Sequence, residues 1–149
     1  QRLGIEVLES VIASSPDGIV ARNISRLAEA GCHIDLDDFG TGHASINALR
    51  RFKVHRLKID RSFVTRADRD EDQRRILAAV LGMADRLGIE TLAEGVESVG
   101  EHTLLAQLGC DHVQGFGIAR PMPADQLPDW SKAYAAKIAS AAKLGRDAM

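Results

Sequence analysis

The sequence predicts an α/β fold in which parallel strands close into a barrel. Three observations carry this expectation. Short apolar runs alternate with amphipathic stretches along the chain. The turn that ends a helix and starts a strand recurs three times. Strand after strand repeats polar residues on one alternate face. Strands separated by helical patterns argue for βαβ units and a parallel sheet.

Strands are expected at 4–9, 32–37, 56–60, 89–94 and 111–114, giving about five βα units. Helical patterns are expected at 17–29, 44–51, 70–86 and 99–108, and the Ala-rich tail from 129 to 144 also reads as a helix. The junctions Leu27-Ala-Glu-Ala-Gly31-Cys, Ala84-Asp-Arg-Leu-Gly88-Ile and Leu105-Ala-Gln-Leu-Gly109-Cys share one form. Each puts Gly just past a helix, where a left-handed residue costs least. One repeated geometry suggests a ring of equivalent units. Within the strands, Cys32, Ile34 and Leu36 alternate with His33, Asp35 and Asp37, and Leu57 and Ile59 alternate with Arg56, Lys58 and Asp60. An open doubly wound sheet would want both faces apolar. A barrel has an inner face to hold the polar set, provided its charges pair, with Asp35 and Arg56 the candidates.

Composition bounds the function. The chain has 149 residues, 45% of them hydrophobic and 27% charged, which excludes wholesale disorder. Nineteen basic against twenty-one acidic residues leave a net charge of −2, too balanced for binding a nucleic acid polymer by bulk charge. The longest uncharged apolar stretch, 76–84, is far short of the ~20 residues that span a bilayer. No basic stretch leading into an apolar run opens the chain, so no signal peptide is expected. Cys32 and Cys110 cannot make a disulfide scaffold, and a reducing cytoplasm is the default compartment.

The carboxyl ends of the expected strands carry Glu6 and Glu9, Asp37 and Asp38, Lys58 and Asp60, Glu94 and Glu97, and Gln114. In barrels of this class the active site is built at that end. A single acid there is best read as a solvated cap, but five strands in succession are not. Converging carboxylates repel unless a cation neutralises them. Oxygen donors without Cys or paired His point to Mg²⁺, Mn²⁺ or Ca²⁺. The adjacent Asp37 and Asp38 can serve two metals, the arrangement suited to phosphodiester hydrolysis. Lys58 can neutralise a phosphate oxygen. The loop Phe39-Gly40-Thr41-Gly42 follows the acids directly and allows close approach and motion.

At these residues the chain resembles the EAL-domain family of bacterial cyclic-di-GMP phosphodiesterases. The matching motifs are Glu6-Val-Leu-Glu9-Ser10, Asp37-Asp-Phe-Gly-Thr-Gly42, Lys58-Ile-Asp-Arg-Ser-Phe63, Ala93-Glu-Gly-Val-Glu97, Gln114-Gly115 and Arg120-Pro-Met-Pro123, in matching order and spacing. The resemblance implies metal-dependent hydrolysis of cyclic di-GMP to linear pGpG with Mg²⁺ or Mn²⁺. It implies Glu6 and Asp37 as metal ligands, with Asp38 and Asp60 serving a second metal and its water. Lys58 and Glu94 would flank the attacking water, with Glu94 the general base, and Gln114 would complete the site. Glu9 would anchor the loop after Asp38, and Glu97 would support the site from behind.

The family's signature Glu-Ala/Val-Leu-x-Arg motif and its Asn ligand are absent from the sequence. Residues 1–149 are therefore expected to be the C-terminal part of a TIM-like (β/α)8 barrel, with 129–149 its closing helix. The N-terminal strands, and a sensory or GGDEF-type domain, would lie upstream. The isolated piece is expected to be inactive and to self-associate, through strand exchange, as a homo-oligomer. Three alternatives remain from the sequence: a degenerate receptor that binds cyclic di-GMP without cleaving it, a Schiff-base lyase using Lys58, and a purely structural or interaction role for the isolated piece.

Overall fold

The computed structural model describes residues 3–13, 18–40, 49 and 52–147. Two compact units are present, residues 1–119 and 120–149. The first holds β1 (Gly4–Leu8), α1 (Glu9–Ala13), α2 (Ile19–Glu29), β2 (His33–Phe39), β3 (Arg56–Ile59), α3 (Arg61–Val64), α4 (Glu71–Leu87), β4 (Glu90–Ala93), α5 (Val99–Gln107) and β5 (His112–Val113). All five strands pair in parallel, in chain order from β1 to β5. The fold is the expected α/β arrangement of parallel strands.

The three repeated junctions share one geometry. Gly31, Gly88 and Gly109 all adopt positive φ, at 90°, 67° and 79°. In each, the N–H of the next residue returns to a carbonyl five residues back: Cys32 to Leu27, Ile89 to Ala84 and Cys110 to Leu105, all at 3.0 Å. These are glycine-terminated helix ends that feed a strand at once. The start of α4 is equally local: the Asp70 side chain accepts from the N–H groups of Asp72 and Gln73, and acidic residues fill the first turn.

Two apolar clusters seat the helices on the sheet. Ile24, Ile34, Leu36, Phe52, Val54 and Leu57 belong to one, and Ile59, Val64, Leu77, Leu81, Val96 and Leu105 to the other. Cys32 and Cys110 pack against these clusters as small half-buried residues with free thiols. The polar face is paired across strands as the alternation requires. Arg56 lies 3.6 Å from Asp35 and 2.9 Å from Glu90, while His33 contacts Asp35 at 2.7 Å.

Three features differ from the sequence expectation. β2 runs two residues further than 37, because Asp38 and Phe39 continue it through a bulge. The short helices α1 and α3 were not expected, being under two turns and without an apolar period of their own. The expected helix at 44–51 and residues Thr41 and Gly42 lie outside the described residues, apart from the buried Leu49. In the second unit a 3-10 turn (Ala124–Gln126) leads into α6 (Leu127–Asp147), longer at both ends than the 129–144 expected. Trp130 and Tyr134 stack along it with ring centroids 5.1 Å apart. Among the described residues no helix is long and apolar enough to cross a membrane.

Candidate metal centre and active site

The site is built from the inner polar face toward the carboxyl ends of the strands. Lys58, in β3, is its hub. Its Nζ lies 3.0 Å from Glu6 of β1, 2.8 Å from Asp37 of β2 and 2.9 Å from Glu94, the residue after β4. β1 and β4 flank β2 and β3, so the one ammonium of β3 gathers three carboxylates, from β1, from β2 and from just past β4. The Lys58 side chain is only 9% exposed. Burial opposes its charge, but hydrogen bonds to Asp37, Glu94 and Glu6 outweigh it and push its pKa above the ordinary lysine value. A protonated ammonium held this firmly is a poor nucleophile, which argues against the Schiff-base reading.

A bulge brings the second aspartate in. β2 pairs Leu36 with Leu57 and then Phe39 with Ile59, so β2 spends one residue more than β3 over that stretch. Asp38 absorbs the extra residue with φ 56°, a left-handed conformation that Asp tolerates better than most. In a regular strand Asp37 and Asp38 would point to opposite faces. Here their carboxylates and that of Glu94 come within 4.8 Å of one another. These hard oxygen donors, without sulfur or imidazole, fit a divalent cation of the Mg²⁺, Mn²⁺ or Ca²⁺ class. Glu6, Asp37 and Glu94 share the one ammonium of Lys58, so these acids leave negative charge for such an ion to offset.

Asp60 stands apart from that trio. One of its oxygens caps α3, accepting from the Ser62 N–H at 2.9 Å, and hydrogen bonding from the Ser62 side chain first, then from main-chain N–H groups, holds its carboxyl below the usual range. It still lines, with Arg61, Glu94, Gly95, Glu97, Gln114, Gly115 and Phe116, a cavity of about 260 Å³ beside the acids. Gln114 enters this wall as backbone too, donating to Ala93 at 2.8 Å and accepting from Val96 at 3.0 Å. The close approach needs Gly115: a Cβ there would overlap the Val96 main chain.

Glu9, 2% exposed at the start of α1, accepts the Gly40 N–H at 2.8 Å. It thus grips the chain immediately after Asp38 and Phe39. Gly40 has no room for a side chain, because the Phe63 ring fills the space. Thr41 and Gly42 fall outside the described residues.

One residue of consequence escaped the sequence reading. Glu101, 7% exposed in the first turn of α5, accepts from the main-chain N–H groups of Glu97, Ser98 and Arg66. Its signal was present as Ser98-x-x-Glu101, a capping box, and that much of the arrangement is observed.

Residues 1–121 match the family model described as EAL domain. The chain belongs to the EAL-domain family. It is 40% identical to the signaling protein YkoW of Bacillus subtilis over 127 residues, covering 85% of this chain and 16% of that protein. Among solved structures, the PaMucR phosphodiesterase in complex with c-di-GMP superposes with a TM-score of 0.76 at 38% identity, over 84% of this chain and 50% of that one. The manganese and cyclic di-GMP complex of Klebsiella pneumoniae BlrP1 superposes with a TM-score of 0.72 at 32% identity, over 79% of this chain and 30% of that one. This EAL chain thus spans half or less of these relatives. Its five-stranded parallel sheet is TIM-barrel-like, as in the EAL domains it superposes on, and relatives such as PdeR of Escherichia coli are cyclic di-GMP phosphodiesterases.

Proposed function

We propose that this chain is the carboxyl-terminal part of an EAL domain that hydrolyses cyclic di-GMP to linear pGpG with Mg²⁺ or Mn²⁺. The observation that carries the reading is the trio of carboxylates around Lys58, from Glu6, Asp37 and Glu94, with Asp38 turned to the same rim by a bulge. Glu6, Asp37, Asp38 and Asp60 would hold the metal ions. Bound there, the ions supply charge neutralisation for the phosphodiester and acidify water at neutral pH.

The protein's own groups do the rest. Glu94 takes the proton of the attacking water as general base. Lys58, permanently charged at neutral pH, neutralises a phosphoryl oxygen as charge builds there. Gln114 and the cavity beside Glu94 orient the substrate. Glu9 holds Gly40, and with it the loop Phe39-Gly40-Thr41-Gly42, against the acids. Glu97 supports the wall behind Glu94.

The ligand set is completed by strands of the parent protein, where a sensory or GGDEF-type domain would also reside. β1 and β5 are the edges of the sheet among the described residues, and Leu3 and Leu8 are 60% and 45% exposed on and beside β1. Unpaired edges recruit further strands. The isolated chain is accordingly inactive and self-associating in this reading.

The test is hydrolysis of cyclic di-GMP by the full-length protein, with chromatographic detection of pGpG, for wild type and Glu94→Gln. Turnover by wild type with Mg²⁺ or Mn²⁺, and at least a hundredfold less in Glu94→Gln with binding retained, supports the assignment. Binding without turnover in wild type would instead make the protein a cyclic-di-GMP receptor.

A further inference from the structure

We propose that Glu101 is a positioning residue for the active site, locking the segment that carries Glu94 and Glu97 to the segment that follows Asp60. This rests on the phosphodiesterase reading of the same site.

A capping box asks little of Glu101. It requires only that the carboxylate accept the N-cap N–H, here Ser98 at 3.0 Å, while the Ser98 hydroxyl accepts the Glu101 N–H at 3.1 Å. Glu101 does more. The oxygen that serves Ser98 also accepts the Glu97 N–H at 2.9 Å. Its other oxygen reaches across 35 residues to the Arg66 N–H at 3.1 Å. Arg66 sits at φ 62° in the connection between α3 and α4, a left-handed conformation that a bulky residue adopts only when its surroundings enforce it. Three N–H donors from two connections therefore converge on one buried carboxylate. Gly100 shows how tightly the two connections meet, since a Cβ there would run into the Asp68 carboxylate.

Both connections lead directly to the chemistry. Residues 94–98 place Glu94 against Lys58 at 2.9 Å and Glu97 on the cavity wall. Residues 60–66 place Asp60 and Arg61 on the same wall. A carboxylate that pins Glu97 and Arg66 together fixes how these two segments sit beside each other at that cavity. Loss of such a tie misplaces Glu94 by a fraction of an ångström to an ångström, and misplacements of that size cost rate rather than affinity.

The experiment compares Glu101→Ala, Glu101→Gln and Ser98→Ala in the full-length protein. Ser98→Ala removes the hydroxyl cap of α5 and leaves the three-donor hub, so it controls for plain loss of helix stability. Glu101→Ala should lower kcat by about 10- to 100-fold with KM within threefold. Glu101→Gln should recover most of the rate, because its amide oxygen can still accept from Glu97 and Ser98. Ser98→Ala should lose thermal stability but keep kcat within twofold. Amide exchange gives a readout independent of turnover: the Glu97 and Arg66 amides should exchange at least tenfold faster in Glu101→Ala, and the Arg66 amide should be unchanged in Ser98→Ala. Equal kcat losses in Glu101→Ala and Ser98→Ala, or unaltered exchange at Arg66, overturn the proposal. If wild type does not hydrolyse cyclic di-GMP, the functional reading fails separately. Mn²⁺ affinity then decides: weakening at least fivefold in Glu101→Ala but not in Ser98→Ala supports the positioning role, and equal affinities refute it.

Discussion

Replacing Lys58 with Met removes the one cation that three carboxylates share while keeping the volume of the side chain. Glu6, Asp37 and Glu94, each within 3.0 Å of Nζ, would then face one another uncompensated. Breaking a fully buried ion pair costs about 3–5 kcal/mol. Asp37 and Glu94 are about one-fifth exposed and Glu6 is more than half exposed, so water screens part of the repulsion. A loss of about 2–3 kcal/mol is expected without metal. For a domain of this size that lowers Tm by roughly 5–10 °C. The deficit should shrink with metal. A divalent cation replaces the missing charge, and a ligand at a hundred times its Kd adds about 2.7 kcal/mol. The assay is thermal and urea unfolding of wild type and Lys58→Met in EDTA and in saturating Mn²⁺. The variant should be less stable in EDTA and show the larger gain with Mn²⁺. Equal stability in EDTA would refute the view that Lys58 is the counter-ion of this cluster. Because the lysine pKa is raised, its contribution is full below the ordinary value near 10.4 and fades only as pH climbs through the higher folded value.

Asp60 has two candidate jobs, and two substitutions separate them. Asp60→Asn keeps an oxygen to cap α3 and should leave Tm within 2 °C, yet lower kcat at least tenfold if the residue serves a metal; Asp60→Ala should additionally cost about 1 kcal/mol of cap in urea unfolding. Glu9→Gln, which keeps one acceptor for the Gly40 N–H, should retain several-fold more phosphodiesterase activity than Glu9→Ala in a side-by-side assay. Asp111 accepts the main-chain N–H and the hydroxyl of Thr91, and these bonds hold its carboxyl below the usual range. Its stabilisation should be present above the unfolded value near 3.9 and disappear as pH falls below it, so Asp111→Asn should flatten the acid limb of a stability-against-pH curve.

Much of this was legible because the determinants are local. The glycine-ended junctions need only a helix end and a residue free to adopt positive φ, and all three came out alike. The Asp35–Arg56 pairing followed from polar residues falling on one alternate face, since parallel register puts them side by side. The crowding of Lys58 by carboxylates from different strands followed from the same alternation. What was hidden depends on residues far apart in sequence. The bulge at Asp37 and Asp38 exists only in the pairing of β2 with β3, and no pattern within β2 announces it. Glu101 carried a readable cap signal, but its bond to Arg66 spans two connections and is set by tertiary packing. The helix α3 is four residues long and owes its start to the Asp60 cap, so its sequence reads as a continuation of the strand motif.

The two ends of the polar face show why one of them is a reaction site. Toward the amino ends of the strands, Asp35 and Glu90 share Arg56, and His33 and His112 stand against the two acids, so each acid of the layer has partners across the strands. Such a layer fixes strand register and asks for nothing further. Toward the carboxyl ends, Glu6, Asp37 and Glu94 share the single ammonium of Lys58, and the Asp38 carboxylate lies beside those of Asp37 and Glu94. Folding alone has no use for that crowding, which weakens the domain through repulsion. A bulge and a left-handed aspartate enlarge it by turning Asp38 onto the same rim. Backbone strain at Asp38, beside three acids that share one ammonium, suits the proposed reading, in which a hard divalent cation and a phosphodiester bind at this rim.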